Sequence, residues 1–308
     1  MSLRVIGAAE VAERLTYEAC IPLMREAMIA LSQGRTRQLL RGIIDLDRGN
    51  AFGVMPGSLD DGPFGAKLVS VFPGNVATGG LSHQGLVLLF NPDTGAPTAV
   101  IDAGELTAIR TAAASAAATD TLARPDARIL AVLGTGEQAR RHVEAIRRVR
   151  PIARVTIWGR DPDKAAALAA ELGAEAASDV QGAVERADIV CTTTATAEPI
   201  LFSDWIADGT HLNLVGSSRA GPAEIDNVLV ARARFFADHR DGVLAQGAEF
   251  LSAKAARLVD DAHVLGEIGA VMAGTLPGRL GPADVTAYKS LGSIVQDLTA
   301  AYWLSCES

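Results

Sequence analysis

A glycine-rich turn carries the clearest chemical signal in this chain. Residues 134–139 read Gly-Thr-Gly-Glu-Gln-Ala, directly after the apolar run Ile129–Leu133 and before a helical pattern. This is the G-x-G-x-x-A dinucleotide fingerprint: Gly134 permits a tight turn, Gly136 lets a pyrophosphate approach the backbone, and Ala139 lets helix and strand pack closely. The N-terminus of the helix then attracts the phosphates. The predicted cofactor contacts are Gly134, Thr135, Gly136, Glu137 and Gln138.

The end of the second predicted strand, Arg154–Trp158, is where such a fold contacts the adenosine ribose. An acid there would bind a 2′-hydroxyl and repel a 2′-phosphate, but the chain continues Gly159-Arg160-Asp161. Arg160 can bind a phosphate through its planar guanidinium. We therefore expect NADP(H) to be preferred over NAD(H). The alternative is a solvated Arg160, with Asp161 bound to the ribose.

Composition excludes several classes of function. The 308 residues and 49% hydrophobic content suit two domains, while a net charge of −8 and a pI near 5.2 argue against nucleic-acid and anionic-membrane partners. The sequence shows no membrane-spanning apolar run and no hydrophobic signal region. The three cysteines are far apart and the five histidines lack metal-ligand spacing. We expect a cytoplasmic protein with free thiols and no bound metal.

The elements that must position this turn follow from the apolar pattern. A helix is expected over Thr16–Leu31, followed by strands and turns to Asp102 and an alanine-rich helix over Gly104–Leu122. From Ala127 onward strands and helices alternate, and one of these strands ends at Thr193, a further candidate cofactor contact. The alternation predicts a parallel sheet with helices on both faces. The last helix is expected to return to the N-terminal domain.

Motifs along the whole chain then point to a family. They are Arg41, the Met55-Pro56 turn, Gly65-Ala-Lys67, Ser82-His-Gln-Gly85, the stretch 103–113, Gly134-Thr-Gly136, Glu224-Ile-Asp226 and Lys289-Ser-Leu-Gly292. In this order they resemble the ornithine cyclodeaminase/mu-crystallin family over nearly the full length. The stretch from Thr107 to Ala114 is its most specific part.

The resemblance implies an α/β fold with a central Rossmann-type doubly wound domain and a discontinuous α+β substrate/dimerisation domain. The corresponding boundaries would be 1–120, 121–283 and 284–308. It also implies a homodimer, which suits the apolar face that a small strand domain would leave exposed. Members include ornithine cyclodeaminase, an alanine dehydrogenase of archaeal type, and reductases of cyclic ketimines.

The family pattern places a substrate-carboxylate site on Arg41, Lys67 and Arg110. An amino or imino acid needs cationic donors for its carboxylate, and arginine binds one bidentately. Lys67 lies in an apolar run and Arg110 in an almost charge-free helix, which favours buried roles for both. For Arg41 a solvated edge charge is an equal alternative. Lys67, beside two arginines, is expected to have a lowered pKa and to share in proton transfer.

The resemblance also assigns Asp226 as the catalytic group that exchanges a proton with the substrate nitrogen. The alternative is a structural helix cap, which the following residues suit equally well. His83 and Gln84 are candidate polar neighbours of the substrate, and a structural hydrogen-bonding role for His83 is at least an equal alternative. The remaining assignments from the family place Thr111 and Ser115 near the cofactor phosphates, and Ser290 and Leu291 near the nicotinamide.

One position departs from the cyclodeaminase pattern. Ornithine cyclodeaminase carries a glutamate two residues before the Met-Pro pair, where this chain has Gly53. We therefore expect an NAD(P)H-dependent reductase of small amino or imino acids, of ketimine reductase or amino-acid dehydrogenase type. The alternatives are ornithine cyclodeaminase, with Asp45 or Asp47 supplying the missing acid, and a binding protein without catalysis.

Overall fold

The computed structural model describes residues 3–60 and 62–306. They form two compact units, one made of Met1–Arg110 with Ser293–Ser308 and the other of Thr111–Gly292. The first unit is therefore discontinuous in sequence. The limits lie at Arg110/Thr111 and Gly292/Ser293, whereas the sequence predicted boundaries at 120/121 and 283/284. The second limit lies later in the chain because the strand at Thr286–Lys289 is hydrogen-bonded within the sheet of the second unit.

The helices and strands have the following bounds. In the first unit they are β1 (Arg4–Ile6), α1 (Ala8–Arg14), α2 (Tyr17–Ser32), β2 (Thr36–Gln38), β3 (Gly42–Asp45), β4 (Ala51–Leu59), β5 (Phe64–Val71), β6 (His83–Phe90) and β7 (Pro97–Asp102). Next come α3 (Ala103–Leu122), β8 (Ile129–Leu133), α4 (Glu137–Val149), β9 (Arg154–Trp158), α5 (Pro162–Leu172), β10 (Glu175–Ala176), α6 (Val180–Val184), β11 (Ile189–Thr192) and β12 (His211–Leu214). The chain ends with α7 (Asn227–Arg232), β13 (Arg234–Ala237), α8 (Arg240–Gln246), α9 (Ala248–Ala255), β14 (Val264–Glu267), α10 (Ile268–Met272), β15 (Thr286–Lys289) and α11 (Ile294–Cys306).

The sheet of the first unit has the order β1-β7-β6-β5-β4-β2, with β3 paired to β4. Strands β4 to β7 are antiparallel, and the pairing of β1 with β7 is parallel. Alternate residues of β5 face the interior, where Lys67 lies between Met55 of β4 and Val87 of β6 in the register. All three are at most 4% exposed, so the strand alternation places Lys67 in the core.

Several sequence predictions for this unit are confirmed, and one is wrong. The helix predicted from Thr16 is present as α2, and Thr16 caps it by accepting a hydrogen bond from the Ala19 N–H. The predicted turn at Met55-Pro56 is wrong, because both residues lie inside β4, opposite Lys67 and Ala66 of β5. The three-residue strand β1 was not predicted, since so short a run carries no periodic signal.

The second unit contains the expected parallel sheet, and the predicted α/β class is confirmed. Its order is β10-β9-β8-β11-β12-β15-β13-β14, and all of these pairs are parallel. From β8 the chain runs to β9 and β10 on one side, then returns to β11 on the other. In such a sheet ligands bind at the carboxyl ends of the strands where this reversal occurs. The crevice between β8 and β11 is therefore the expected nucleotide site.

Within the described residues, no helix is both long and apolar enough to cross a bilayer. The same part of the chain contains no group of three or more His, Cys, Asp or Glu side chains that could hold a metal ion.

Candidate active site

A buried cluster of charges lies in the first unit. Asp297 Oδ1 on α11 is 3.1 Å from Lys67 Nζ on β5 and 2.9 Å from Arg110 Nε on α3. Lys67 Nζ also donates to Thr107 Oγ1 at 2.5 Å, and Arg110 Nη1 donates to Gln296 Oε1 at 3.0 Å. We call these five residues the cation cluster. They bring together two of the three residues predicted to bind a substrate carboxylate.

Burial determines the electrostatics of the cation cluster. Lys67 is 4% exposed, Arg110 3% and Asp297 0%. Burial lowers the pKa of Lys67 to about 8; Asp297 opposes this shift, whereas Arg110 and Arg41 add to it. Burial raises the pKa of Asp297, but the charges of Arg110 and Lys67 outweigh it, so the net shift is downward. The expected lowering of the Lys67 pKa is therefore present, although burial and not like-charge repulsion is its main cause.

Arg41 and His83 lie within electrostatic range of Lys67. Arg41 directly precedes β3 and is partly exposed. Desolvation, and then the positive charges of Lys67 and Arg41, lower the pKa of His83 at the start of β6. His83 Nδ1 is 2.9 Å from Ser82 Oγ, and Gln84 is exposed. The two cations Lys67 and Arg41 therefore both make His83 harder to protonate.

The nucleotide turn of the second unit has the geometry that its sequence predicts. Gly134 has φ 136°, and a Cβ at this position would collide with Thr193 Oγ1 and lie 2.8 Å from Thr193 O. Thr193 N and Oγ1 donate to Leu133 O at 2.8 and 3.1 Å. The predicted contacts Gly134 and Thr193 thus meet at the carboxyl ends of β8 and β11. Gly136 precedes α4 and gives it no side-chain cap, which suits a helix whose first N–H groups bind phosphate.

The loop after β15 supplies a second part of this edge. Asp238 Oδ2 accepts hydrogen bonds from the N–H groups of Leu291 and Gly292 at 2.8 and 2.6 Å. Ser290 is 3% exposed, and its Oγ has no hydrogen-bond partner among residues 3–60 and 62–306. A buried hydroxyl without a partner is costly unless a ligand satisfies it. The prediction that Ser290 lies near the nicotinamide would give this hydroxyl such a ligand.

A buried acid that sequence reasoning missed connects the loops at this edge. Glu224 is 0% exposed, and its carboxylate accepts from Thr192 Oγ1, Thr194 N, Thr194 Oγ1 and Gly216 N at 2.6 to 2.8 Å. Burial raises the pKa of Glu224, opposed by Lys289 and by these hydrogen bonds. Lys289, also 0% exposed, forms an ion pair with Glu249 at 2.7 Å. Glu224 thereby links the loop after β12 to Thr192 and Thr194, the two residues that flank Thr193.

Asp226 is a helix cap in the structure, which is the alternative role that the sequence allowed for it. Its Oδ1 accepts hydrogen bonds from the Leu229 N–H at 2.9 Å and the Ser203 N–H at 3.2 Å, so Asp226 caps α7. In the part of the chain that the structure describes, Oδ2 receives no hydrogen bond. Asp226 is partly exposed and belongs to the second unit, whereas the cation cluster belongs to the first.

The two residues at the ribose end of the turn, Arg160 and Asp161, have different surroundings. Asp161 Oδ1 accepts from the N–H groups of Asp163 and Lys164 at 3.1 and 3.2 Å, which caps α5. Arg160 is exposed, and its guanidinium has no hydrogen bond or ion pair among residues 3–60 and 62–306. Beside it, a Cβ at Gly159 would collide with Thr135 Cγ2, so Thr135 packs closely against the end of β9.

The other predicted cofactor residues differ in their surroundings. Glu137 is exposed and forms an ion pair along α4 with Arg141 at 2.6 Å. Ser115 is 0% exposed, and its Oγ is hydrogen-bonded to His142 Nε2 at 2.9 Å. The Ser115 hydroxyl therefore already has a partner within the protein. Thr111 is 8% exposed on α3. Gln138 lies in the first turn of α4, and its backbone carbonyl oxygen is 2.7 Å from His142 Nδ1.

Asp297 was absent from the sequence prediction. It is separated from Lys67 by 230 residues and from Arg110 by 187, and no spacing rule connects positions so far apart. One signal was available: Gln296-Asp297 interrupts an otherwise apolar helix between Ile294 and Leu304. A charged residue on the buried face of a helix requires a partner of opposite charge.

The second unit has a glycine turn at the reversal point of a parallel sheet, and the first is an α+β unit with buried cations. Together these features define a class of two-unit dinucleotide-binding proteins. The sequence comparison identifies the group within this class. The chain belongs to the ornithine cyclodeaminase/mu-crystallin family, whose sequence profile matches residues 3–305. The predicted family is thereby confirmed.

Three relatives illustrate the likeness. The ketimine reductase mu-crystallin of Mus musculus is 34% identical over 304 residues, covering 96% of this chain and 94% of its own. The Δ1-pyrroline-2-carboxylate reductase of Thermococcus litoralis, solved in complex with NADH and L-proline, superposes with a TM-score of 0.93 at 29% identity, covering 98% of this chain and 96% of its own. An archaeal alanine dehydrogenase dimer with bound NAD gives a TM-score of 0.93 at 27% identity, covering 99% and 95%.

Proposed function

We propose that this protein is an NAD(P)H-dependent reductase of small ketimine acids, which in reverse acts as an L-amino-acid dehydrogenase. The observation that carries the proposal is the buried pairing of Lys67 and Arg110 on Asp297 in a chain that also has the nucleotide turn. Relatives named as ketimine and pyrroline-2-carboxylate reductases support the same reaction class.

The donors left in the cation cluster suit one carboxylate. An ammonium has three N–H donors and a guanidinium five, and two of the Lys67 donors are directed to Thr107 and Asp297. Arg110 uses Nε and Nη1 for Asp297 and Gln296, which leaves Nη2 for a ligand. A carboxylate bound by Lys67 and Arg110, with Arg41 nearby, would hold the imine carbon in a fixed orientation.

Asp226 would exchange the proton of the substrate nitrogen. As the C=N bond is reduced, its nitrogen gains electron density and requires a nearby acid. The cap of α7 by Leu229 N–H and the hydrogen bond from Ser203 N–H both use Oδ1, so the second carboxylate oxygen remains for this task. When bound, the nicotinamide cofactor supplies the hydride to the imine carbon. The Gly134 turn, the Glu224-fixed loops and the Ser290 hydroxyl would hold that cofactor.

We assign NADP(H) as the preferred cofactor. Arg160 is the exposed cation at the end of β9, where a 2′-phosphate would lie, and the neighbouring Asp161 already uses Oδ1 to cap α5. A charge-assisted hydrogen bond contributes about 1.5–3 kcal/mol when buried, and exposure reduces this to about 1 kcal/mol.

Arg160→Gln tests this assignment. The variant should raise the KM for NADPH about fivefold while leaving the KM for NADH unchanged. Arg186→Gln, at another exposed arginine of the same unit, is the matched control. An equal effect of Arg160→Gln on both cofactors would contradict the preference for NADP(H).

A homodimer would cover an apolar surface of the first unit. The residues around β3 include Leu39, Leu40, Ile43, Ile44 and Leu46, which are 41–70% exposed. Exposed apolar side chains gathered in one segment are typical of a subunit interface, and the related archaeal dehydrogenase is described as a dimer. Light scattering should give twice the chain mass of 32.0 kDa. Ile44→Lys should shift this toward the monomer, whereas the control Leu280→Lys, at a 68% exposed leucine of the other unit, should not.

The thiols agree with a cytoplasmic location, which we include in the proposal. Cys20 and Cys191 are buried free cysteines, and Cys306 is an exposed one. Burial raises the pKa of both buried thiols to about 12. Such cysteines persist unpaired most readily in a reducing compartment.

Steady-state assays decide between the reductase and its alternatives. The purified protein is supplied with NADPH or NADH and with Δ1-pyrroline-2-carboxylate, Δ1-piperideine-2-carboxylate, or pyruvate plus ammonia. We expect turnover of at least one ketimine. Conversion of ornithine to proline with catalytic NAD, and no ketimine reduction, would contradict the proposal. That outcome is disfavoured because Gly53 supplies no carboxylate at the position of the cyclodeaminase glutamate, and Asp45 and Asp47 are both exposed.

A further inference from the structure

Asp297 joins the two candidate carboxylate-binding cations through one atom. Its Oδ1 accepts from Lys67 Nζ at 3.1 Å and from Arg110 Nε at 2.9 Å, and the residue is 0% exposed. Its Oδ2 is buried and has no hydrogen-bond partner among the described residues. Two donors that share one acceptor are held within a few ångströms of each other, so their remaining N–H groups are held close together.

The contacts around Asp297 restrict both cations. Thr107 Oγ1 receives a second N–H of Lys67 at 2.5 Å, and Gln296 Oε1 receives Arg110 Nη1 at 3.0 Å. Flexible lysine and arginine side chains lose rotamer entropy when they bind a ligand. Here that ordering is already present in the protein, and Asp297 is the one member that contacts both cations.

The charge balance also depends on Asp297. The ionisable groups with an electrostatic influence in this region are Asp297 on α11, Arg110 on α3, Arg41 before β3, His83 on β6 and Cys20 on α2. The Cys20 thiol is neutral because burial raises its pKa to about 12. Asp297 is therefore the only anion of this set, and it opposes three cations. Its removal would leave Lys67 buried beside two arginines without a counter-charge.

We propose that Asp297 is a positioning residue for the reductase reaction: it holds Lys67 and Arg110 side by side as one carboxylate receptor and keeps Lys67 protonated at neutral pH. This rests on the function proposed above. The sign of the effect follows from the cluster. Burial has already lowered the pKa of Lys67 to about 8, and Asp297 is a group that raises it. Without that charge, Lys67 would lose its proton at lower pH.

Asp297→Asn tests the proposal, because asparagine retains the shape and an acceptor oxygen but removes the charge. The alkaline limb of kcat/KM for the ketimine should move at least one pH unit lower, and activity should recover as the pH is lowered. For a pKa of Lys67 that falls from about 8 by one unit, the protonated fraction drops about threefold at pH 7.5 and about tenfold above pH 9, so we expect kcat/KM to fall by these factors. Gln296→Met is the matched control: it removes one Arg110 contact without a change in charge, so the limb should stay in place.

An unchanged alkaline limb in a folded Asp297→Asn protein would overturn the proposal. If that variant does not fold, Lys67→Arg in the native background gives the decision. Arginine does not titrate in this range, so an alkaline limb due to Lys67 should disappear; its persistence would overturn the proposal as well.

A ligand-free titration separates this inference from the proposed function. The chain has four lysines, Lys67, Lys164, Lys254 and Lys289, so ¹³Cε-lysine labelling gives four signals, and Lys67→Met identifies one of them. The Lys67 signal should titrate lower in Asp297→Asn than in the native protein. If the native protein reduces no ketimine yet this shift occurs, the proposed function fails while the charge-holding role of Asp297 stands. An unshifted midpoint contradicts that role whatever the substrate.

Discussion

Replacing Asp226 with asparagine separates the two roles that its position allows. The Asp226 side chain caps α7 through Oδ1, which accepts from Leu229 N at 2.9 Å and Ser203 N at 3.2 Å. Asparagine also has an Oδ1 acceptor and is as good a cap as aspartate. Asp226→Asn should therefore leave the thermal midpoint within about 1 °C of the native value, because neither hydrogen bond needs the negative charge.

Turnover should respond differently from stability. Asparagine cannot give or take the proton of the substrate nitrogen, and loss of a positioned acid or base costs about 10²–10⁴-fold in rate. We expect kcat for the ketimine to fall by at least about 100-fold, with the KM for NADPH unchanged. Asp226→Ala should show the same catalytic loss together with about 1 kcal/mol of destabilisation from the lost cap.

The assay combines steady-state reduction of Δ1-pyrroline-2-carboxylate with thermal unfolding of each variant. Asp179→Asn is the matched control, since Asp179 caps α6 through the Gly182 N–H at 2.7 Å and has no proposed part in the reaction. It should leave both turnover and stability unchanged. An Asp226→Asn protein that retains more than about a third of the native kcat would refute the catalytic role and leave Asp226 as a cap alone.

Three further predictions concern the second unit. Gly134→Ala places a side chain against Thr193 at φ 136°, and strained backbone positions of this kind cost about 1–3 kcal/mol. The variant should therefore have a lower thermal midpoint and bind NADPH about tenfold more weakly. At Gly136 an added Cβ meets no atom within 4 Å, so Gly136→Ala should weaken NADPH binding without changing the thermal midpoint. Burial lowers the pKa of His142 from 6.5 to about 4, so the unfolded state binds this proton first and the free energy of unfolding should fall between pH 6.5 and 4; urea unfolding across this range checks it, and a His142→Gln protein with the same slope would contradict it. Lys289→Met leaves the buried Glu249 without its 2.7 Å ion-pair partner and should destabilise the protein by about 3–5 kcal/mol; calorimetry should show part of this recovered in a Lys289→Met/Glu249→Gln double variant, and no recovery would mean that the pair is uncoupled.

Much of the fold could be predicted because its signals are local. Alternating and continuous apolar runs identified β5 to β8, and a glycine turn after β8 identified the nucleotide crevice. Strands β1 and β10, of three and two residues, have no period to detect. Proline usually interrupts strands, yet Met55-Pro56 continues β4.

The candidate site was predictable only where one residue and its surroundings sufficed. Lys67 and Arg110 stood out as charges in apolar segments, and both are buried in the structure. Their shared partner Asp297 could not be paired with them, because the contact spans most of the chain. The same holds for Glu224, whose partners at Thr192, Thr194 and Gly216 come from loops that meet only in the folded sheet. The cap and catalytic roles of Asp226 predict the same local sequence, so sequence alone could not separate them.

Isotope transfer tests the central claim most directly. The native protein is incubated with Δ1-pyrroline-2-carboxylate and NADPH carrying deuterium at the transferable position of nicotinamide C4, and the proline formed is analysed by mass spectrometry. The account predicts L-proline with one deuterium, bound at Cα, and none when the label is supplied only as D2O and exchange is controlled. Proline without deuterium, or no proline from this substrate and the other ketimines, would contradict hydride transfer to an imine carbon by this protein.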